Sequence, residues 1–214
     1  MWSLQRDEIP FELTEINQLK IKIIATWEKP AFKPIVCIGL DGVILFKIDP
    51  LEESDQPEGW FDGATYVEYE EAGIKYQYLI RFRPILAKLL IQLNRYTVLV
   101  VYSSQSKEFV EAVLKVLNIK LQKTHPSKNE DKFAGIQDAY FWSRDQCIKK
   151  KSGFIKSLGA VNEYSMSNIN DIWLIDDKPE LVDFPSRVIC VEPYTGDPRD
   201  VELLRLIHQI FNND

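Results

Sequence analysis

Four short runs of apolar residues constrain the fold of this chain more than any other feature of its sequence. They read "PIVCIGL" from Pro34, "YTVLVVYS" at 96–103, "DIWLID" at 171–176 and "RVICV" at 187–191. Each run is rich in β-branched residues, which is typical of strands that are covered on both faces in a parallel sheet. The four runs therefore predict a sheet that is buried between layers of helices.

Stretches with helical spacing of apolar residues alternate with these runs. The predicted helices cover residues 11–28, 84–94, 106–118 and 152–160. A last helix is predicted to open with Asp197 and Pro198, which form a good cap and first-turn pair. Strands that alternate with helices predict an α/β domain with three layers and a mainly parallel central sheet.

One segment, residues 66–80, breaks this alternation. Its sequence "YVEYEEAGIKYQYLI" alternates in character on both sides of a turn that starts at Glu71. We therefore expect an antiparallel hairpin, within a small β insertion at 46–80 that follows the first core strand. In the loop before the hairpin, Trp60 and Phe61 are interpreted as an anchor that packs the loop down, with an exposed patch for a partner as the alternative.

Length and composition indicate one domain. A chain of 214 residues that is 45% hydrophobic can bury one sizeable core, and a second independent domain is not expected. We expect residues 1–33 to form a helical extension that packs on this core and residues 34–214 to form the domain itself.

Charge and cysteine content restrict the classes of function and compartment. The net charge of −6 argues against a nucleic-acid or membrane-surface binder, because such proteins need a basic face. Three cysteines, Cys37, Cys147 and Cys190, are far apart and lack metal-ligand spacing, which favours a cytoplasmic or other reducing compartment. No window approaches eighteen uninterrupted apolar residues, so no transmembrane segment is expected in this region.

Polar residues follow the predicted strands at the points where they end. Asp41 follows the first strand, Ser103 and Ser104 end the second, and Asp176 and Asp177 end the third. Ligands of open α/β sheets bind beyond the carboxyl ends of the strands, so these side chains are expected to meet at one edge.

Lys156, on the predicted helix before the third strand, would add an ammonium group to this edge. Hydroxyl and ammonium groups suit phosphoryl oxygens, and carboxylates suit a divalent cation. The sequence therefore predicts a site for a phosphate with a cation.

Further motifs stand in a recognisable order around these residues. The first strand ends in "GLDGV", the hairpin leads into Arg83 and Pro84, and Cys147 precedes Lys156 by nine residues in "CIKKKSGFIKSL". The third strand ends in "DDKP", and the chain closes with "GDPRDVELLRLI". In this order the chain resembles the haloacid dehalogenase superfamily, and within it the small-capped phosphoprotein phosphatases of the RNA polymerase II carboxyl-terminal repeat and their NLI-interacting-factor-like relatives.

The chain is also similar to small magnesium-dependent phosphatases that act on phosphotyrosine. These resemblances imply a haloacid-dehalogenase-type fold and a phosphorylated protein or peptide as partner, with phosphoserine, phosphothreonine and phosphotyrosine all open. They assign Asp41 as the acid and base, and Ser103, Ser104 and Lys156 as the phosphate-binding groups.

The same resemblances imply Mg²⁺ as the cofactor. Its ligands would be Asp176, Asp177 and the backbone carbonyl of Asp41. The family's first motif begins with a nucleophilic aspartate that also holds the metal, and this chain has Gly39 at that position. Mg²⁺ binding is therefore expected to be weakened or absent if Gly39 is the natural residue.

Gly39 leaves the catalytic competence of the chain open. Loss of a covalent nucleophile has cost about a millionfold in turnover in another hydrolase. One interpretation is a domain that recognises a phosphorylated partner but hydrolyses it slowly or not at all. A second is an active enzyme, in which Asp41 or another group attacks or position 39 is aspartate in the natural protein. A third is an interaction module that binds unphosphorylated peptide.

Overall fold

The computed structural model describes residues 15–20, 22–23, 33–48, 62–124, 140–151 and 153–211. Trp60 and Phe61 lie outside these residues, so their predicted anchoring role stays a prediction. Part of the first predicted helix is described: residues 15–20 and 22–23 are helical and are named α1. Its apolar residues Ile16, Leu19 and Ile23 are buried in the main core. The proposed division of the chain at residue 33 remains a prediction.

The other helices and the strands follow in chain order. The helices are α2 Leu86–Tyr96, α3 Lys107–Thr124, α4 Leu158–Ser165 and α5 Glu202–Phe211. The strands are β1 Ile35–Gly39, β2 Leu45–Ile48, β3 Thr65–Glu71, β4 Ile74–Phe82, β5 Val98–Tyr102, β6 Tyr140–Trp142, β7 Ile148–Lys150, β8 Gly153–Ile155, β9 Ile172–Asp176 and β10 Val188–Cys190. No helix within the described ranges is long and apolar enough to cross a membrane.

The central sheet contains all four predicted core strands and one more. Its order is β10-β9-β1-β5-β6, and every neighbouring pair is parallel. The register places Gly39 of β1 beside Tyr102 of β5, and Asp176 of β9 beside Cys190 of β10. The carboxyl ends of β1, β5 and β9 therefore meet at one edge, and the predicted parallel α/β sheet is confirmed.

Alternation along β1 divides the core into two layers. Val36 and Ile38 belong to one hydrophobic cluster, which includes residues of α1, α2, α3 and α5. Ile35 and Cys37 belong to a second cluster, which includes Leu158 of α4. Because successive side chains of a strand point to opposite faces, the sheet is covered on both sides, as its continuous apolar strands require.

The predicted hairpin is also present. Strands β3 and β4 pair antiparallel around a turn at residues 72–73, and β2 adds to the other edge of β4. Val67 and Ile80 are fully buried and join this small sheet to the main core.

Two predicted helix starts are wrong. Within 152–160 the chain forms β8 first, and α4 begins only at Leu158. Ser157 fixes this start because its side chain accepts the backbone N–H of Ala160 at 3.0 Å, while Asp183 accepts the N–H of Leu158 at 2.8 Å. Capping of orphan N–H groups thus sets the helix start, and Lys156 precedes α4 instead of lying on it.

The last helix starts at Glu202 and not at Asp197. The carboxylate of Asp197 accepts the backbone N–H of Arg199 at 2.8 Å and closes a turn, and Asp200 accepts the N–H of Glu202 at 3.1 Å. An aspartate followed by proline is compatible with a turn as well as with a helix start, and here the turn is formed.

Candidate functional site

A small pocket lies where the carboxyl ends of β1, β5 and β9 meet. Its volume is about 70 Å³. The lining residues are Asp41, Ser103, Ser104, Phe154, Lys156, Asp176, Asp177, Lys178 and Leu181. The structure therefore brings together all six side chains that were predicted for the site, although they come from four separate segments of the chain.

A larger groove of about 500 Å³ lies on the β3–β4 hairpin and is lined by Glu68, Tyr69, Glu70, Lys75, Tyr76 and Gln77. None of the predicted site residues lines it. The small pocket is therefore the candidate site, because it holds the hydroxyl, ammonium and carboxylate groups.

Lys156 and Asp176 form the most buried ion pair of the pocket. The Lys156 ammonium contacts Asp176 Oδ2, and the two side chains are 12% and 3% exposed. The second oxygen of Asp176 accepts the backbone N–H of Lys178 at 3.1 Å. Both carboxylate oxygens of Asp176 are thus bonded within the protein, and Lys156 compensates a charge that would be costly to bury alone.

The backbone holds Lys156 in place. Its N–H donates to the carbonyl of Leu181 at 2.9 Å, and its carbonyl accepts the N–H of Asp183 at 3.2 Å. The phenol of Tyr102 also fixes this segment. It donates to the carbonyl of Gln146 and accepts the N–H of Ser157, both at 2.9 Å. The last residue of β5 therefore positions the segment that carries the ammonium.

Gly39 faces the Asp176 carboxylate directly. A Cβ atom at position 39 would fall against Asp176 Oδ2 and would lie 3.0 Å from Val43 Cγ2. Real Cβ contacts are rarely that close, so the space of a side chain at position 39 is already filled. The glycine allows Asp176 to approach the backbone of β1, as glycine does where groups pack closely on a strand.

The loop after β1 is a tight turn that also needs glycine. The N–H groups of Ile44 and Leu45 both donate to the carbonyl of Leu40, at 2.9 and 3.0 Å. Gly42 adopts a φ of 74°, and a Cβ atom there would lie 2.7 Å from the Asp177 Cγ. Glycine at position 42 therefore serves both the left-handed backbone and the close approach of Asp177.

Arg83 anchors this loop from behind. Its guanidinium is fully buried and makes two bonds to the Asp200 carboxylate, at 2.8 and 2.9 Å. It also donates to the carbonyls of Glu192 at 2.9 Å and Gly42 at 3.4 Å. The motif residue after the hairpin is thus a structural clamp between the loop and the segment before α5.

Asp41 lies at the mouth of the pocket. Its carboxylate is 3.3 Å from the ammonium of Lys47, and the Asp41 side chain is 36% exposed. The Lys47 ammonium also lies 4.3 Å from the ring centre of Phe109. Asp41 is therefore in reach of solvent and of a ligand in the pocket, and Lys47 supplies a neighbouring positive charge.

Ser103 is buried, and its hydroxyl group can donate a hydrogen bond to a ligand. Its Oγ accepts the backbone N–H of Gln105 at 3.1 Å, and we find no acceptor for its proton among the described residues. Ser104, half-buried beside it, accepts Arg144 Nε through its carbonyl at 3.2 Å. The Cys147 thiol, whose pKa is raised by burial, lies 3.7 Å from the carbonyl of Ser103.

The environment of Asp177 disfavours its charged form. Burial, and then the charge of Asp176, raise the pKa of its carboxyl group above the ordinary value. Two adjacent carboxylates in a partly buried pocket would be relieved by a cation. In the part of the chain that the structure describes, however, no group of three or more acid, histidine or cysteine side chains is placed to hold a metal ion.

Sequence reasoning missed several residues of the site. Phe154 and Leu181 add apolar surface to the pocket, Lys178 adds a cation, and Lys47 approaches Asp41. Tyr102 positions the lysine segment. Lys178 lies within "DDKP" and Phe154 within "CIKKKSGFIKSL", but the resemblance assigned neither residue a role, and no motif contains Lys47 or Leu181.

Comparisons with known proteins concern the family and the fold of this chain. The family model described as NLI interacting factor-like phosphatase matches residues 34–212. Nuclear envelope morphology protein 1 of Saccharomyces cerevisiae is 25% identical over 150 residues, which are 66% of this chain and 30% of that protein.

Two solved structures of the RNA polymerase II CTD phosphatase Fcp1 share the fold. The fission yeast Fcp1-R271A structure, bound to beryllium fluoride, has a TM-score of 0.57 at 19% identity. A second Fcp1 structure has a TM-score of 0.57 at 20% identity. Each alignment covers 86% of this chain and 45% of the Fcp1 chain, so this chain spans less than half the length of the relatives it matches.

Proposed function

We propose that this chain, which belongs to the NLI interacting factor-like phosphatase family, binds a phosphorylated protein side chain and hydrolyses it slowly or not at all. One observation carries the proposal. The pocket keeps a hydroxyl and an ammonium that suit a phosphoryl group, while position 39 is a glycine whose space the Asp176 carboxylate fills.

Ser103 and Lys156 would supply the binding energy. The Ser103 hydroxyl can donate to a phosphoryl oxygen because its own oxygen already accepts an N–H. The Lys156 ammonium has three protons, and its contact with Asp176 leaves others for a ligand. Hydrogen bonds between charged partners are about twice as strong as neutral ones, so a dianionic phosphate gains from both groups. Ser104 would complete the phosphate-binding set at the rim.

Hydrolysis would lack a nucleophile at position 39, where the family resemblance predicts one. Position 39 has no side chain, and Asp176 is held by Lys156 and by the amide of Lys178. Asp41, at the pocket mouth, would take the acid and base role that the family resemblance implies. Proton transfer without a placed nucleophile gives at most slow turnover, because the covalent step would be lost.

Magnesium fits this pocket only as a weakly held ion. Asp176 and Asp177 would be its side-chain ligands, with the backbone carbonyl of Asp41 as a third oxygen. Mg²⁺ is often bound by one or two carboxylates together with substrate phosphates, and when bound it neutralises phosphoryl charge. The raised pKa of Asp177 supports a site that a cation would relieve.

The pocket size supports a protein substrate. Pockets that enclose small molecules typically measure about 300 Å³ or more. The site here, at about 70 Å³, has room for a phosphoryl group and little else. The remainder of the substrate would then lie on the surface, as a phosphorylated side chain on a protein does. The Fcp1 relatives, described as CTD phosphatases, support the same class of partner. A cytoplasmic or other reducing compartment remains a prediction from the cysteines.

Calorimetry with a phosphopeptide and its unphosphorylated form tests the proposal. We expect the wild-type chain to prefer the phosphorylated form, and Ser103→Ala to weaken its binding about tenfold or more, as loss of a charge-assisted hydrogen bond does. Ser165→Ala is the matched control, since that hydroxyl donates to the Val161 carbonyl on α4 and does not line the pocket. Equal binding of both peptide forms would favour the interaction-module alternative.

A further inference from the structure

The β7–β8 hairpin carries a run of lysines beside the pocket. Lys149 pairs directly with Phe154, and Lys150 pairs with Gly153. Paired residues of antiparallel strands share a face of the sheet, and neighbours along a strand alternate. Lys149 therefore lies on the face of Phe154, which lines the pocket, whereas Lys150 lies on the opposite face.

Arg144 approaches the same phenylalanine. Its guanidinium lies 5.4 Å from the ring centre of Phe154, and its Nε donates to the carbonyl of Ser104 at 3.2 Å. Arg144 Nη1 also reaches Glu71 at the end of the β3 strand, at 3.5 Å. Both of these side chains are about one third exposed, so this ion pair is weak and replaceable.

Among the residues that the structure describes, no acidic side chain forms an ion pair with Lys149, which is exposed. The whole chain has a net charge of −6, so the three consecutive lysines 149–151 beside Phe154 in the chain are a local concentration of positive charge. Two cations thus lie beside Phe154: Lys149 shares its face of the hairpin, and Arg144 lies 5.4 Å from its ring centre with only the weak Glu71 ion pair.

We propose that Lys149 and Arg144 form a second anion subsite around Phe154, which selects phosphopeptides that carry another negative group beside the bound phosphate. This inference rests on the proposed function of the pocket and names its substrate class more closely. The second group is a phosphate or a carboxylate, since both match an ammonium and a guanidinium.

The subsite lies within reach of the same peptide. Phe154 and Lys156 are two residues apart and both line the pocket, so the hairpin face continues directly from the phosphate-binding lysine. An extended peptide advances about 3.3 Å per residue. Long lysine and arginine side chains can therefore meet a group within about three residues of the bound phosphate.

A peptide series tests the subsite. Each peptide has a phosphoserine at one fixed position. A second position, scanned over three residues on either side, holds phosphoserine, glutamate or glutamine. We expect at least one position at which phosphoserine and glutamate bind about three- to fivefold more tightly than glutamine at physiological ionic strength, as for an exposed ion pair. Comparison of the phosphoserine peptides with the glutamate peptides shows whether the second site prefers a phosphate or a carboxylate.

Lys149→Ala and Lys150→Ala form a matched pair of variants with equal change in net charge. We expect Lys149→Ala to abolish the preference over glutamine and Lys150→Ala to keep it. Glu71→Gln should strengthen the preference slightly, because it releases Arg144. Both lysines are exposed, so neither change is expected to alter folding, which thermal unfolding would verify.

Two results would overturn the inference while leaving the proposed function intact. One is tight binding of the singly phosphorylated peptide with no preference for a second charge at any position. The other is an equal loss in Lys149→Ala and Lys150→Ala, which would show a general charge effect. Failure of the wild-type chain to bind any phosphopeptide would instead refute the proposed function and the subsite with it.

Discussion

Two walls of the same pocket differ in the functional side chains that they carry. The wall formed by Ser103, Lys156 and Asp176 keeps a hydroxyl, an ammonium and a buried carboxylate in mutual reach. The second wall, the loop after β1, keeps its tight turn and Asp41 but has Gly39 at the position where the family resemblance predicts a nucleophile. The proposed phosphate-binding groups are thus present on one wall, whereas the proposed position of the nucleophile on the other has no side chain.

The two walls are also stabilised differently. Lys156 and Asp176 hold each other inside the pocket, so the binding groups are part of the structure of that wall. The loop is anchored from outside the pocket, by Arg83 and its pair with Asp200. A substitution at the pocket face of the loop can therefore occur while the tight turn after β1 is kept. Five changes at the two walls test this difference.

Lys156→Met should have the largest effect. It leaves the buried Asp176 carboxylate without a cation, which costs about 3–5 kcal/mol for such pairs, and it removes phosphopeptide binding. Urea unfolding measures the first effect and calorimetry the second. The double variant Lys156→Met with Asp176→Asn should recover most of the stability but none of the binding. Full stability of the single variant would contradict the account of this wall.

Arg83→Met should destabilise the loop wall by about 3 kcal/mol, at the lower end for a buried pair because Asp200 is partly exposed. Thermal unfolding would show this as a fall of about 6–12 °C in Tm. Phosphopeptide affinity should change little at temperatures where the variant is folded, since Arg83 does not line the pocket. A large loss of affinity in the folded variant would mean that the walls are coupled.

Gly39→Ala should cost about 1–3 kcal/mol, because its Cβ displaces the Asp176 carboxylate and crowds Val43. Gly39→Asp has the same steric problem but adds a third acid to Asp176 and Asp177. We therefore expect millimolar Mg²⁺ to raise the Tm of Gly39→Asp and to leave the Tm of Gly39→Ala and wild type nearly unchanged. An equal rise in all three would show that the natural pocket already holds the metal.

Asp177→Asn should have the smallest effect on stability, and the size of this effect depends on pH. Because the folded-state pKa of Asp177 is raised above 3.8, ionisation costs stability as the pH rises through that pKa. Without divalent cations, the variant should be slightly more stable than wild type at neutral pH. The gain should disappear below pH 3.8, where Asp177 is protonated in both states. Thermal unfolding over this pH range provides the measurement.

Sequence patterns predicted the core strands, the hairpin and the meeting of six site side chains. These features follow from burial on both faces of a parallel sheet and from the position of strand ends, which one sequence displays. The helix predicted at 152–160 was wrong at its start. A helical pattern of apolar residues does not reveal the pairing of β7 with β8 or the capping of α4 by Asp183. The contact of Gly39 with Asp176 joins residues more than 130 positions apart, and no local pattern encodes it.

Phosphate release from a tightly bound phosphopeptide shows whether this chain binds a phosphorylated side chain without hydrolysing it. Binding and release would be measured on the same peptide, with and without Mg²⁺, for wild type and for Asp41→Asn. We predict binding by both proteins, with little or no release above background by either. Rapid release by the wild-type chain that Asp41→Asn abolishes would contradict the account, because it would show an active phosphatase that does not need a side chain at position 39.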